Sequence, residues 1–457
     1  MKLSADNALG FKQVIVMVKD RLLGHLRSLL FMNAYYLILA YAATEGAGFI
    51  FWIIAARLYS STETGLGATA ISATMLLATF STLGLPHALV RFLPESRSSA
   101  KVLINSSFFA TVTVSAVAGA IFLTGLSFWT PGLASLRDNF GLVILFLVFT
   151  ITAALRPSVL NIFMARRRGG YALLVGSLDG IIKLGAISVL ALFLGEHLRS
   201  FGVFMAWGVA IATPVCLCIL FFIPHVYHEY QPRITFHKSS VNKMLRFSLA
   251  NYISELSWFS PASGLIGWII VLIVVNLLGL EDTAYFYVVW LIAAFLNVIP
   301  VSISTSLLVE GSHREDTLYA NARKSLLLAT AVLVPVVILV FLLGDVFLLI
   351  FGREYSEHGT NLLRILSISS LPLAFNSISL GIWRVQRKLK PVIIIGITIA
   401  LLSIGLIFVL SPELGILSPG VAWLIAQLVA AVAIGRTAWR KNGVEGIDQH
   451  GQPRYIL

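Results

Sequence analysis

Apolar residues are grouped along this chain in long runs, separated by short polar segments. A run of about 20 apolar residues is the length that crosses the hydrocarbon core of a bilayer as a helix. Twelve membrane-spanning helices are predicted from the runs at 33–57, 66–90, 102–128, 140–164, 171–194, 201–223, 250–278, 284–308, 325–350, 359–383, 391–411 and 416–436. The pattern therefore predicts an all-α integral membrane protein.

The longest polar interruption divides these helices six and six. The predicted units are a cytoplasmic basic amphipathic segment at 1–32, an N-terminal six-helix lobe at 33–223, a cytoplasmic connecting loop at 224–246, a C-terminal six-helix lobe at 247–437 and a cytoplasmic tail at 438–457. In the first unit, apolar residues at helical spacing with Lys and Arg between them favour a helix lying on the membrane surface. A disordered basic segment is the alternative.

The two predicted lobes resemble each other in sequence. At an offset of 219 residues, Gly48-Phe49-Ile50 aligns with Gly267-Trp268-Ile269, and at an offset of 220, Arg167-Arg168 aligns with Arg387-Lys388. An even number of spans in each half makes this a parallel repeat, related by a pseudo-twofold axis along the membrane normal. Transporters built in this way place the substrate between the two halves.

Composition agrees with a membrane protein. The chain is 58% hydrophobic and 12% charged, whereas a soluble domain carries about 25% charged residues because its surface faces water. Most of this protein's surface must therefore face hydrocarbon.

The net charge of +12 does not indicate a nucleic-acid partner, because the basic residues lie in the short segments between spans. Such a bias marks the cytoplasmic side of a membrane protein. The predicted outer segments hold only Arg57, Arg137, Arg199 and Arg353. The sequence thus predicts a multi-pass protein of the cell (plasma or inner) membrane with both termini in the cytoplasm.

Ionisable residues inside spans are costly and usually face a cavity or a partner. Arg156 and Lys183 lie well inside predicted spans, while Arg57, Arg91 and Arg364 lie nearer to span ends. We predict all five as candidates for binding an anionic substrate headgroup, since Arg grips phosphate oxygens with two donors. Structural ion pairs, or side chains reaching back to the interface, are the alternative.

The acidic candidates for coupling transport to an ion are Glu45, Asp179 and Glu255. Asp179 and Lys183 are four residues apart on one helix, so they can also neutralise each other. Arg156 lies at a similar depth on the preceding antiparallel helix. The sequence therefore predicts one polar cluster of Arg156, Asp179 and Lys183 in the N-terminal lobe.

Other chemistry is not indicated. No glycine-rich phosphate loop follows a predicted strand, and the outer loops are too short to house a glycosyl-transfer site. No enzymatic activity, metal site or resident cofactor is predicted. The only small ion expected is a coupling ion, H⁺ or Na⁺.

Several segments resemble the oligosaccharide-lipid flippases of polysaccharide biosynthesis, which include O-antigen-unit flippases. Their superfamily also contains the MATE multidrug exporters and the lipid II flippase. The segment from Gly48 to Glu95, with its ARLYS, STLG and RFLPE elements, resembles the first two spans of that family. The segment from Phe351 to Phe375 resembles the connection between the ninth and tenth spans, and the basic turns at 166–168 and 387–388 also fit.

The resemblance implies a MATE-like pair of six-helix lobes around a central cavity that opens to one side at a time. It implies as cargo a sugar unit on a polyprenyl phosphate or pyrophosphate, moved from the inner to the outer leaflet, with basic cavity residues on the headgroup. No motif shared with the family includes Arg156 or Lys183, so their predicted role in binding the headgroup is based only on their positions inside spans. Membrane lipid, and a glycan polymerase or glycosyltransferases of the same pathway, are the further partners expected.

Two alternatives belong to other classes. A cation-coupled multidrug or metabolite exporter on the same fold predicts a cavity that is acidic or aromatic rather than basic. A membrane glycosyltransferase, ligase or polymerase predicts an outer catalytic site, against which the short outer loops argue.

Overall fold

The computed structural model describes residues 29–96, 99–256, 265–313 and 317–442. The N-terminal lobe contains α1 (Leu29–Leu58), α2 (Ser61–Ser81), α3 (Leu85–Phe92), α4 (Ala100–Thr124), α5 (Phe140–Ala165), α6 (Gly169–Phe193) and α7 (Gly202–Val226). A polar helix, α8 (Lys238–Leu256), follows. The C-terminal lobe contains α9 (Leu265–His313), α10 (Leu318–Leu349), α11 (Arg353–Val385), α12 (Leu389–Leu414) and α13 (Ser418–Asn442).

Ten helical stretches in the described part of the chain are long and apolar enough to cross a membrane. Two of them, Leu265–Leu308 and Leu389–Thr437, are 44 and 49 residues long. Each is interrupted by a glycine in the left-handed region, Gly279 at φ 89° and Gly415 at φ 49°. Counting two segments in each of these stretches gives six per half, so the predicted all-α fold of twelve spans is confirmed.

Two details differ from the predicted organisation. The second span, predicted as continuous over 66–90, breaks between α2 and α3 because Leu83 and Gly84 adopt positive φ values of 50° and 69°. Pro86 then lies in the first turn of α3, where its missing N–H is tolerated. Helix α8 begins inside the segment predicted to be a loop and includes the start of the predicted span 250–278, of which residues 257–264 lie outside the described residues. The amphipathic segment before residue 29 and the tail after residue 442 lie outside the described residues.

The internal repeat is visible in the backbone. Arg167 and Arg387, 220 residues apart, are both in the left-handed region, at φ 54° and 56°. The N–H of Arg168 donates to the carbonyl of Phe163 at 3.0 Å, and the N–H of Lys388 donates to the carbonyl of Trp383 at 2.8 Å. Helices α5 and α11 therefore end in the same turn, and α6 and α12 begin from it. We call the end of the molecule that carries these two turns the basic end.

The lobes contact each other at the end opposite to the basic end. Arg57, the penultimate residue of α1, donates from Nε to the carbonyl of Ile350 at 3.0 Å and from Nη2 to the carbonyl of Leu349 at 2.5 Å. Nearby, Asn276 Nδ2 donates to the carbonyl of Trp129 at 2.6 Å. Gly65 lies so close to the Leu280 carbonyl that a Cβ atom would collide with it. This end of the molecule is therefore closed by contacts between the lobes.

Candidate functional site

The predicted cluster of charges forms in the N-terminal lobe. Lys183 Nζ lies 3.0 Å from Asp179 Oδ2, and Arg156 Nη2 lies 3.5 Å from the same oxygen. The Asp179 and Lys183 side chains are 1% and 7% exposed, whereas Arg156 is 24% exposed. One carboxylate oxygen thus faces two cations, and Arg156 is the member of the cluster that reaches open space.

The cluster is not fully balanced. Asp179 Oδ1 is buried and has no hydrogen-bond partner among the described residues. Two cations and one carboxylate leave a net charge of +1. Glu45, on α1, lies within electrostatic range of all three members of the cluster, so an ionised Glu45 brings the local sum to zero and a protonated Glu45 leaves it positive.

Small residues bring Glu45 close to the cluster. Gly176 and Gly180 on α6 lie one turn apart, in the spacing that lets two membrane helices approach closely. A Cβ atom at Gly176 would lie 2.7 Å from Thr44 Oγ1 and 2.8 Å from the carbonyl of Ala40, and one at Gly180 would lie 2.9 Å from the Ala47 Cβ. Helix α1 therefore packs directly on the backbone of α6, on both sides of Asp179 along the helix.

A cavity of about 430 Å³ lies beside the cluster, within the N-terminal lobe. It is lined by Ala40, Tyr41, Thr44, Glu45, Met75, Ala153, Arg156, Pro157, Leu160, Asn161, Met164, Ala172, Val175, Gly176 and Ile211. Arg156 is the one basic residue and Glu45 the one acidic residue among these. Asp179 and Lys183 are not among the lining residues, so Arg156 is the member of the cluster that is exposed to the cavity.

Helix α5 lacks one backbone hydrogen bond at Pro157, the residue after Arg156. Proline has no N–H to donate to the carbonyl four residues earlier, which here belongs to Ala153. Ala153 and Pro157 both lie on the cavity wall. The cavity therefore borders a helical turn that lacks one backbone hydrogen bond, and this turn lies next to Arg156.

The other three basic candidates do not join the cluster. Arg57 binds carbonyl oxygens at the closed end of the molecule, as described above. Arg91 is exposed on α3 and forms an ion pair with Glu95 at 3.1 Å. Arg364, on α11, donates from Nε to the carbonyl of Phe341 at 3.0 Å and from Nη1 to Asn361 Oδ1 at 3.2 Å. Each of these guanidinium groups has protein partners away from the cavity.

Several polar residues of the cavity were not predicted from the sequence. Tyr41, Thr44 and Asn161 all line it. Tyr41 is one helical turn before Glu45, so the two side chains share a face of α1. Asn161 is a polar amide within an apolar run, and this position could have marked it as a candidate from the sequence. The third acidic candidate, Glu255, is near the end of α8, and its side chain lies outside the described residues.

Sequence comparisons agree with the resemblance predicted above. A family model described as "Polysaccharide biosynthesis protein" matches residues 30–260, about half of the chain. A second model, MatE, matches residues 263–409. Among curated proteins, none matches the chain.

Solved structures share the fold. The lipid II flippase MurJ, in an inward closed conformation, superposes with a TM-score of 0.68 at 12% identity, over 88% of this chain and 87% of that chain. A multidrug resistance MATE family transporter of the MOP superfamily, in an inward-facing conformation, gives 0.66 at 14% identity, over 90% and 98%. A MOP superfamily transporter from Pyrococcus furiosus Vc1 (DSM3638) gives 0.55 at 13% identity, over 91% and 96%.

Proposed function

The chain belongs to the polysaccharide biosynthesis protein family and is a membrane transporter or flippase of the MOP superfamily, and from this premise we propose what it moves. The proposed cargo is an oligosaccharide unit linked to a polyprenyl phosphate or pyrophosphate. The protein transfers it from the inner to the outer leaflet by alternating access, for surface polysaccharide or glycan biosynthesis.

The observation that carries this proposal is Arg156 on the wall of the cavity. A guanidinium group donates two parallel hydrogen bonds to phosphate oxygens and stays charged in an apolar environment. The other walls are mostly apolar. Such walls suit the apolar polyprenyl chain where it joins the phosphate group. Lys183 adds positive potential from behind, and Asp179 holds both cations in place.

The contacts between the lobes support alternating access. Arg57, Asn276 and Gly65 close the end opposite to the basic end. The predicted topology places the basic end in the cytoplasm, and the cavity residues Met164 and Ala172 lie within about one helical turn of the basic turn at 166–168, so a lipid-linked sugar made there would meet the cavity from that side. Flipping then requires these contacts to break while contacts at the basic end form.

Glu45 is the proposed coupling group. When Glu45 binds H⁺ or another cation, the neighbouring cluster keeps its net charge of +1 and holds an anionic headgroup more strongly. When Glu45 is ionised, the local sum is zero and the headgroup is held less strongly. Coupling therefore follows from the electrostatic linkage between one carboxylate and three charged neighbours.

The experiment is a flipping assay with purified protein in liposomes, using a lipid-linked sugar that an added probe detects once it reaches the other leaflet. We expect Arg156→Ala to reduce the rate by about 10- to 100-fold, since a charge-assisted hydrogen bond contributes roughly 1.5–3 kcal/mol. Arg91→Ala is the matched control, because Arg91 is exposed and paired with Glu95. If Arg156→Ala and Lys183→Ala proteins fold and flip at the native rate, the assigned headgroup site is wrong.

A second measurement tests coupling in the same liposomes. Imposed H⁺ and Na⁺ gradients are expected to change the flipping rate of the native protein and to have no effect on Glu45→Gln, which cannot release a proton. If Glu45→Gln responds to both gradients as the native protein does, Glu45 is not the coupling group. The assignment of the headgroup site would not be affected by that result.

A cation-coupled multidrug or metabolite exporter is the second candidate function. Two observations favour it: the largely apolar lining of the cavity, and the Glu45 carboxylate on its wall, which would attract a cationic drug. Uptake of a fluorescent organic cation by inverted vesicles separates the two functions. The exporter predicts uptake that Glu45→Gln abolishes and Arg156→Ala increases, whereas the flippase predicts no uptake above that of empty vesicles.

A further inference from the structure

The segment that joins the two lobes, residues 227–247, is fixed to the basic end of the N-terminal lobe, and we call it the connector. Tyr227 and Tyr230 are buried. Asn105 Nδ2 on α4 donates to the carbonyl of Gln231 at 3.0 Å, and the N–H of His237 donates to Ser106 Oγ at 3.1 Å. The connector is therefore seated on α4 rather than hanging free between the lobes.

The helical part of the connector is seated as well. Val241 and Met244, in the first two turns of α8, are buried. The ring of Phe247 contacts that of Phe92 on α3, with centroids 5.4 Å apart. The start of α8 is therefore held against the lobe by buried apolar contacts.

Two of those side chains are apolar and exposed. Ile234 is 90% exposed and Phe236 is 52% exposed. The Phe236 ring lies 5.6 Å from that of Phe109, which is nine residues beyond the start of α4 and thus about 13 Å along the helix axis. Since α4 is a membrane-length apolar helix, Phe236 lies beside a span that is long and apolar enough to cross a membrane.

Basic residues surround the apolar pair. The connector carries four exposed cations, at Arg233, Lys238, Lys243 and Arg246, against one acidic residue, Glu229. Lys243 also covers the Phe92 ring, at 4.8 Å from its centroid. Exposed apolar side chains combined with a cluster of cations beside a membrane span are the features that bind anionic lipid surfaces.

We propose that the connector is a binding surface for anionic phospholipids, with Ile234 and Phe236 inserted among the acyl chains and the four cations bound to headgroup phosphates. The contact fixes the N-terminal lobe in its leaflet, so that the C-terminal lobe moves against it. The proposal does not depend on the cargo or on the headgroup site at Arg156.

Hydrogen–deuterium exchange of the full-length protein tests it, in nanodiscs of phosphatidylcholine alone or with phosphatidylglycerol. We expect the amides of residues 231–247 to exchange about tenfold more slowly with phosphatidylglycerol. The quadruple variant R233Q/K238Q/K243Q/R246Q should lose that difference, since each cation near an anionic surface contributes about a fivefold change in binding. The matched control R387Q/K388Q/K390Q, which removes cations at the basic turn of the other lobe, should keep it.

A second variant separates the two parts of the surface. I234S/F236S should expose the segment to exchange in both kinds of nanodisc, while its thermal unfolding midpoint stays near that of the native protein because both side chains are exposed. Equal exchange of the native connector with and without phosphatidylglycerol would overturn the proposal. So would a difference that persists in the quadruple variant.

Discussion

Equivalent positions of the two lobes share a backbone but differ in charge. The offset of 220 residues that relates the turns at Arg167 and Arg387 also aligns Arg156 with Asn376, Asp179 with Ile399 and Lys183 with Ser403. In the C-terminal lobe, Asn376 Nδ2 donates to the carbonyl and to Oε1 of Gln427, at 2.9 and 2.8 Å. The cluster of charges in one lobe therefore corresponds to a neutral, hydrogen-bonded site in the other.

Under the proposed function, this difference would let a repeated scaffold bind an asymmetric cargo. A buried ion cluster must be compensated by partners or by a ligand, whereas the amide pair carries no charge to compensate, although Asn376 Oδ1 has no hydrogen-bond partner among the described residues. The N-terminal lobe has a cluster of charged side chains at a cavity, and the C-terminal lobe has neutral side chains at the equivalent positions. A single anionic headgroup would then be held by one lobe while the other moves.

The largest effect is expected when the N-terminal cluster is given the residues of the C-terminal lobe. We predict that R156N/D179I/K183S lowers the flipping rate by about 100-fold or more, because the charge-assisted contact of Arg156, worth roughly 1.5–3 kcal/mol, and the positive potential of Lys183 are lost together. The liposome assay measures it, with gel filtration as the check on folding. A native rate in the folded triple variant would show that the charge asymmetry has no part in transport.

The second effect concerns stability. Asp179→Asn leaves two cations without their carboxylate, and breaking a buried ion pair costs about 3–5 kcal/mol. Unfolding of the purified protein in sodium dodecyl sulfate measures the free energy. Removing the exposed pair of Arg91 and Glu95 should change it by less than about 1 kcal/mol, and equal losses for the two changes would contradict the burial of the cluster.

The third effect tests the close approach of α1 and α6. Gly176→Ala places a methyl group against Thr44 and the carbonyl of Ala40, so we predict a loss of about 1–3 kcal/mol from overpacking. Gly185→Ala, on the same helix with open space around it, should be neutral or slightly stabilising. The same unfolding titration compares them, and an equal response of the two variants would rule out the tight contact.

The smallest effect is expected in the neutral site. Asn376→Leu removes the two hydrogen bonds to Gln427, and we predict a loss of about 1 kcal/mol in the free energy of unfolding. The flipping rate of the folded protein should stay within about twofold of native. A flipping defect as large as that of Arg156→Ala would show that the C-terminal site also binds the headgroup, which would end the proposed asymmetry.

Much of the fold could be predicted because long apolar runs have one stable solution in a bilayer, the hydrogen-bonded helix. The turns at Arg167 and Arg387 were predicted as equivalent from sequence and have the same backbone conformation. The break at Leu83 and Gly84 was not predicted, because hydropathy stays high across it and the conformation depends on local φ values. Helix α8 was missed because it is polar and its apolar face is short.

The candidate site was predicted in part. The spacing of Asp179 and Lys183 on one helix, and the depth of Arg156 on the next, were enough to predict the cluster. Their roles in binding and coupling stay predictions. The positions of Arg57 and Arg364 against carbonyl oxygens were not predictable, since carbonyl groups at helix ends become partners only when another helix is packed beside them.

The sequence by itself determined the spans and the internal repeat, because these depend on local hydrophobicity and on residue spacing. It also determined which residues had to find partners, because an ionisable group in hydrocarbon is costly wherever it lies. Only the tertiary structure decided which cation reaches open space. Asp179 Oδ2 contacts both Lys183 and Arg156, yet of these three residues only Arg156 lies on the cavity wall, because α1 packs against the glycines at 176 and 180, on both sides of Asp179.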